Sequence, residues 1–205
     1  MSRIKILVAD DHALLRRGLI SLLKRQKDFA VIGEACNGEE ALMAIQQHRP
    51  DVVILDLSMP IMDGVEATRL IHKQFPSVKI MLLTACGTSF DVTHAVQFGA
   101  SGAIVKDSTD AMLLESIRTV ANGETFFSPE IKAQLSKPLP PTLTDRQSEI
   151  LRAVIDGLAS DAISARLGIS TDTVNDHINA IRVKLGAASR TEAVAIALRK
   201  HLLKI

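Results

Sequence analysis

Val52-Val53-Ile54-Leu55-Asp56-Leu57-Ser58-Met59-Pro60-Ile61-Met62-Asp63-Gly64 decides how the N-terminal part of this chain folds. Four apolar residues end on an acid, and Pro60 and Gly64 then shape a loop. A run this short and this evenly apolar does not make an amphipathic helix; it suits a strand buried on both faces. Outward from it the same unit recurs, in Ile4 to Ala9, Val31 to Ala35, Ile80 to Leu83 and Ala103 to Val105. Between the runs apolar residues return at helical spacing, as in Leu15, Leu19, Leu22 and Leu23, or Leu113, Ile117 and Val120. Five such units predict an α/β fold, a doubly wound, five-stranded parallel sheet with helices on both sides.

Beyond residue 122 the pattern changes. Pro129, Pro138, Pro140 and Pro141 are four of the chain's seven prolines, which predicts a semi-extended linker over 123–141. Residues 142–205 then read as a small all-α domain, with helices near 145–156, 160–167, 171–185 and 190–202. Charge divides in the same way, with a net of −3 over residues 1–130, +2 over 131–141 and +2 over 142–205. With a total of only +1, any nucleic-acid surface is local.

Composition removes several classes of function. The 205 residues, 47% hydrophobic and 23% charged, suit one large or two small globular domains. With no Trp, no Tyr and six Phe, the chain lacks the aromatic platforms on which sugars or unpaired bases stack. Cys36 and Cys86 have no metal-ligand spacing and are read as reduced thiols. The N-terminal apolar run is too short for a signal peptide, and no run nears the ~18 residues of a spanning helix. The expectation is a soluble, cytoplasmic protein with no membrane partner.

Ligands of an open α/β sheet bind beyond the carboxyl ends of its strands. Strand one delivers Asp10 and Asp11 there, strand three Asp56, strand four Thr84 and strand five Lys106. Clustered carboxylates repel one another unless a cation joins them, and hard oxygen donors suit Mg²⁺. A hydroxyl and an ammonium facing them are donors for an anion. Together these groups describe a phosphoryl-transfer site.

At these residues the chain resembles a bacterial response-regulator receiver domain. The motifs are Asp10-Asp11-His12, Asp56 to Gly64, Leu83-Thr84-Ala85 and Gly99 to Asp107. The resemblance implies a flavodoxin-like receiver over 1–122 in which Asp56 accepts a phosphoryl group from a sensor histidine kinase. It further implies that Asp11, Asp56 and the Ser58 main-chain carbonyl bind Mg²⁺, with Asp10 assisting through water. Lys106 would pair with Asp56 or the phosphoryl oxygens, and Thr84 would bond the phosphoryl group after transfer. Receivers often carry an aromatic residue two or three positions before the Lys, where this chain has Ala103 and Ile104. Coupling is therefore expected to run through the main chain of the 84–90 loop.

In the helical part, Leu167-Gly168-Ile169-Ser170 has the spacing of a helix-turn-helix turn. The wider string, from Leu143-Thr144-Asp145-Arg146-Gln147 through Thr173-Val174-Asn175-Asp176-His177 to Arg190-Thr191-Glu192-Ala193-Val194, resembles the LuxR-type DNA-binding domain over 142–205. Together the two resemblances place the chain among NarL/FixJ-type regulators, not enzymes. They imply a transcription regulator whose phosphorylation switches homodimerisation and binding to double-stranded promoter DNA. Helix 171–185 would enter the major groove. Val174, Ile178, Ile181 and Leu185 form its apolar stripe. The candidate DNA contacts are Thr173, Asn175, Asp176, His177, Asn179, Arg182, Lys184 and Arg190. Asn175 and Asn179 stand where relatives often have cations, and Asp176 lies beside them. The expectation is weak non-specific affinity, with adenine as a partner for the amides.

Two alternatives bear on the same residues. A Mg²⁺ phosphatase with Asp56 as nucleophile would usually carry a second Asp two positions on, where Ser58 stands. A regulator with protein-contact output would suit the acidic helix face.

Overall fold

The computed structural model describes residues 3–85, 89–136 and 143–199. The chain divides into two compact units, Met1–Lys137 and Pro138–Ile205. In the first, β1 (Ile4–Ala9), β2 (Phe29–Ala35), β3 (Val52–Asp56), β4 (Lys79–Thr84), β5 (Gly102–Val105) and β6 (Phe126–Phe127) form one sheet. Its order is β2-β1-β3-β4-β5-β6, and every pairing is parallel. Between strands run α1 (Ala13–Lys24), α2 (Gly38–His48), α3 (Gly64–Gln74), α4 (Ser89–Gln97) and α5 (Asp110–Ala121), followed after β6 by α6 (Pro129–Leu135).

The evenly apolar strands are explained by the two layers they separate. Leu7, Val53, Leu55, Ile80, Leu82 and Ala103 face α2, α3, α4 and α6, whereas Ile6, Val8, Ile54, Met81 and Ile104 face α1 and α5. Alternate residues thus fill two cores, and no polar face remains. Chain order reverses between β1 and β3, so the crevice at the switch point lies between Asp10 and Asp56.

The stretch 123–136 departs from the expected spacer. Phe126 and Phe127 pair with Gly102 and Ala103 as a sixth strand, and Ile131 of α6 is fully buried in the core. Pro129 is the first residue of that helix, with Ser128 capping it through a bond from the Ile131 N–H. Proline's fixed φ suits a first turn, whose N–H needs no helical partner. Pro138, Pro140, Pro141 and Cys86 lie outside the described residues. Cys36 is a free thiol bonded to both Glu40 carboxylate oxygens, which push its pKa up.

The second unit holds α7 (Asp145–Ile155), α8 (Ser160–Leu167), α9 (Thr171–Leu185) and α10 (Arg190–Arg199). Gly168, at φ 64, ends α8 in the left-handed conformation that glycine adopts without strain. Ser170 then caps α9 by accepting from the Thr173 N–H. The stripe Val174, Ile178, Ile181 and Leu185 is buried against Ile150, Leu151, Ile163 and Ile196. Among the described residues no helix is long and apolar enough to cross a membrane.

Candidate functional site

The β1 and β3 ends bring Asp10 and Asp56 together, both almost wholly buried. Lys106, just past β5, places Nζ 2.9 Å from Asp10 Oδ2 and 2.9 Å from Asp56 Oδ2. Asp10 Oδ1 accepts from the His12 N–H at 2.8 Å, while its Oδ2 meets the ammonium. Asp11 is exposed, with Oδ1 2.8 Å from His12 Nδ1. Asp10, Asp11, His12 and Asp56 each bring a ligand atom into a group spanning at most 4.8 Å. The family motif includes His12, yet as a donor group it was not anticipated; its place next to two acids was the available signal.

Burial pushes the Asp56 carboxyl above its ordinary range; the bonds from Lys106 and the Ser58 main-chain N–H pull it down, and Asp10 pushes it up again. Burial lowers the Lys106 pKa, but its bonds to Asp10 and Asp56 outweigh this and raise it. Asp10 and Asp56 thus share one ammonium, and Asp11 beside them adds further hard carboxylate oxygens to the pocket. That donor set fits a small dication such as Mg²⁺.

The loop after Asp56 fits tightly. A Cβ on Gly64 would collide with the Asp56 carbonyl, so α3 can begin this close to β3 only with glycine there. Ser58 is exposed at the rim, where its N–H serves Asp56. Ile61 takes φ 67 with its side chain exposed, a rare conformation for a β-branched residue. Ile61→Asn is therefore expected to stabilise the protein by about 1 kcal/mol, read as a higher urea midpoint at unchanged slope.

Thr84 ends β4 with its hydroxyl bonded to the Ala85 carbonyl at 3.1 Å, not to a carboxylate. Its own carbonyl accepts from the Lys106 N–H at 2.7 Å, joining the two strand ends. Ala103 and Ile104 are fully buried. Residues 86–88, inside the expected coupling loop, lie outside the described residues.

On α9, Thr173, Asn175, Asp176 and Asn179 are exposed, while His177 is half-buried. The cations expected beside them are engaged within the unit. Arg182 donates to the Ala188 carbonyl and Asn179 Oδ1, Lys184 to Gln147 Oε1, and Arg190 to Ser160 Oγ and the Leu158 carbonyl. Val183, 83% exposed, stands on the outward face with Asp172, Asp176 and Asn179 and was missed in the sequence.

The family model of the response regulator receiver domain matches residues 6–118, and that of the luxR family of bacterial regulatory proteins matches 141–197. The chain belongs to the LuxR-type response regulators. The response regulator protein VraR of Staphylococcus aureus is 33% identical over 207 residues, spanning 98% of this chain and 99% of VraR. The crystal structure of ChrA, a response regulator of a heme-sensing two-component system, is 32% identical, with TM-score 0.60, 99% of this chain and 100% of ChrA covered. Likeness in fold extends to RcsB of Salmonella enterica serovar Typhimurium, solved on promoter DNA with the phosphomimetic beryllofluoride. It is 22% identical, with TM-score 0.70, 98% of this chain and 100% of that one covered. As a LuxR-type response regulator, the chain is a two-domain, DNA-binding transcription regulator. The receiver carries the acidic pocket, and the LuxR-type domain carries the helix-turn-helix.

Proposed function

We propose that Asp56 is the phosphoacceptor through which a sensor histidine kinase controls dimerisation and promoter binding. The observation that carries this reading is the ammonium shared by Asp10 and Asp56 at the topological switch point. Lys106, 2.9 Å away, pulls the Asp56 pKa down against burial and favours the carboxylate, whose oxygen attacks the phosphorus of a phosphohistidine. The P–O bond forms as the P–N bond breaks, and the imidazole leaves. Asp10, Asp11, Asp56 and the Ser58 main-chain carbonyl would hold Mg²⁺, which supplies positive charge for the transferring group. The phosphoryl group adds about −1.5 to −2 charge. Lys106 balances part of it, and the Thr84 hydroxyl exchanges the Ala85 carbonyl for a phosphoryl oxygen, moving the end of β4. The setting is cytoplasmic, where the kinase, promoter DNA and Mg²⁺ are all available.

Dimerisation is assigned to the α1–α5 side of the receiver. An open, mainly apolar groove of about 570 Å³ runs there among Leu15, Leu19, Leu22, Ile104 and Leu113, with Leu14 87% exposed at its edge. Leu14→Asp is expected to keep the beryllofluoride-bound protein monomeric in sedimentation while leaving the pocket intact. A dimer of undiminished affinity would move the interface elsewhere.

In the second unit, α9 enters the major groove, with Asn175, Asp176 and Asn179 toward base edges. Thr173, His177, Arg182, Lys184 and Arg190 flank them toward the backbone. Because the three cations are bonded internally and two acids share the face, counterion release is small. The test is fluorescence anisotropy on DNA upstream of the protein's own gene, over a salt series, with and without Mg²⁺ and beryllofluoride. Tighter, sequence-selective binding with the mimic is expected. The salt slope should be well below that of a protein with about ten phosphate contacts. A slope implying about ten released ions would refute the assignment of these cations. The acidic face also favours a second reading, output by protein contact. Complete absence of DNA binding by folded, mimic-loaded protein at low salt would select it.

A further inference from the structure

The amide of Asn175 is the last member of a short chain of hydrogen bonds with a fixed direction. Arg190, at the start of α10, donates through Nη1 to Ser160 Oγ at 3.2 Å, and Ser160 Oγ donates to Asn175 Oδ1 at 2.9 Å. Through Nη2 the same guanidinium donates to the Leu158 carbonyl, so two bonds hold it on the turn before α8. A guanidinium can only donate, and a hydroxyl has a single hydrogen. With Arg190 on its acceptor side, Ser160 offers that hydrogen to Asn175, and the amide answers with its carbonyl. The Nδ2 group, with two hydrogens and no lone pair to offer, has no partner among the described residues and lies on the exposed side of α9. Ser160 and Arg190 are half-buried, so the inner part of the chain is partly shielded from competing water.

This polarity has a consequence for base recognition. Adenine is read by an amide that uses both ends at once, the carbonyl accepting from N6 and the amino group donating to N7. An amide whose carbonyl is turned inward presents hydrogens only. Guanine offers two neighbouring acceptors in the major groove, N7 and O6, whereas adenine sets its own N6 hydrogens against a donor. We propose that Ser160 and Arg190 are positioning residues that fix Asn175 as a hydrogen-bond donor, so that α9 selects guanine at the base step Asn175 meets. This corrects the adenine partner expected from the residue type, and it rests on the reading of α9 as the major-groove helix. Asn179 repeats the polarity more weakly, its Oδ1 taking the Arg182 Nη1 at 3.3 Å.

The experiment is selection of sites from a randomised duplex library by the full-length protein with Mg²⁺ and beryllofluoride. Anisotropy titrations then follow on duplexes changed at one base pair or carrying 7-deazaguanine, which lacks N7. Asn175→Ala should flatten the preference at one step, and that step should be guanine in the wild type. Ser160→Ala should reduce the guanine-over-adenine ratio there about tenfold, with other steps unchanged, and Ser160→Thr, which keeps the hydroxyl, should retain the ratio. Equal thermal midpoints for the two Ser160 variants would separate this loss from unfolding. Adenine at the Asn175-dependent step, or a ratio indifferent to Ser160→Ala, overturns the proposal. Equal weakening of all duplexes by Asn175→Ala, with a smaller salt slope, assigns the donor to a phosphate and overturns the guanine assignment. If Asn175→Ala alters neither affinity nor selectivity while DNA binding persists, what fails is the placement of this face of α9 in the groove.

Discussion

Asp56→Asn abolishes covalent phosphoryl labelling from acetyl phosphate or a phosphorylated kinase, with the product followed by intact mass and by a phosphate-affinity gel. Asparagine keeps the shape of the side chain but has no anionic oxygen to attack phosphorus, and among the described residues Asp10 is the other buried carboxylate on the Lys106 ammonium. Residual labelling that persists in Asp56→Asn and disappears in the double variant with Asp10→Asn would transfer the acceptor role to Asp10. The same substitution has a second effect with a definite sign. Burial raises the Asp56 pKa in the folded state, so between the ordinary carboxylate value and the raised one the folded protein holds more protons than the unfolded chain. Stability of the wild type therefore falls as pH rises through that window, as the buried carboxylate charge develops. Asn carries no such charge. In the absence of divalent metal Asp56→Asn should melt higher than wild type at pH 7, with the gap closing on acidification. Added Mg²⁺ should narrow the gap from the other side, because it stabilises the three-carboxylate pocket more than the variant.

Much of this pocket could be read from strand ends. A strand buried on both faces shows itself as an unbroken apolar run, so Asp10, Asp56, Thr84 and Lys106 were each marked by the residue at which a run stops. Helix α4 followed from the count of five units and not from a face of its own, since among the described side chains it buries Val92 and Ala95, whereas two elements beyond those units were missed. Strand β6 has two residues, and its pairing with Gly102 and Ala103 is a tertiary fact. Helix α6 did carry a local signal, Ser128-Pro129-Glu130, a cap followed by proline in the first turn, but nearby prolines suggested a spacer instead. On α9 the buried stripe followed from spacing, whereas the engagement of its cations did not. Lys184 meets Gln147 from 37 positions away, and Arg190 meets Ser160 from 30. Periodicity reports which way a side chain faces, and it carries no information on partners brought in from other helices.

Lys106→Met tests the electrostatic core of the pocket. Methionine preserves the apolar stem and removes the cation that, among the described residues, touches both Asp10 Oδ2 and Asp56 Oδ2. Replacing a whole buried ion group by apolar residues is often neutral, but deleting one sign leaves the other uncompensated at a cost of several kcal/mol. Here the Lys106 side chain retains 17% exposure, so solvent softens the loss to about 2–3 kcal/mol at pH 7. Without the ammonium nothing opposes the burial that already raises the Asp56 pKa, and it rises further. The variant then gains stability as pH falls from 7 toward 5, because the folded state takes up protons that the unfolded chain does not yet bind. Chemical denaturation at pH 5, 6 and 7 should show the deficit shrinking at each step. Phosphoryl uptake should fall at pH 7 as well, since the cation that draws the phosphoryl group to Asp56 and balances its charge is gone, and the mimic-induced rise in DNA affinity should fall with it. A variant as stable as wild type at all three pH values would show that the carboxylates are neutralised by something other than Lys106. The assignment of charge balance in the pocket, and with it the reading of Asp56 as an ionised acceptor, would then have to be rebuilt around Arg16, whose guanidinium donates to the Asp10 main-chain carbonyl.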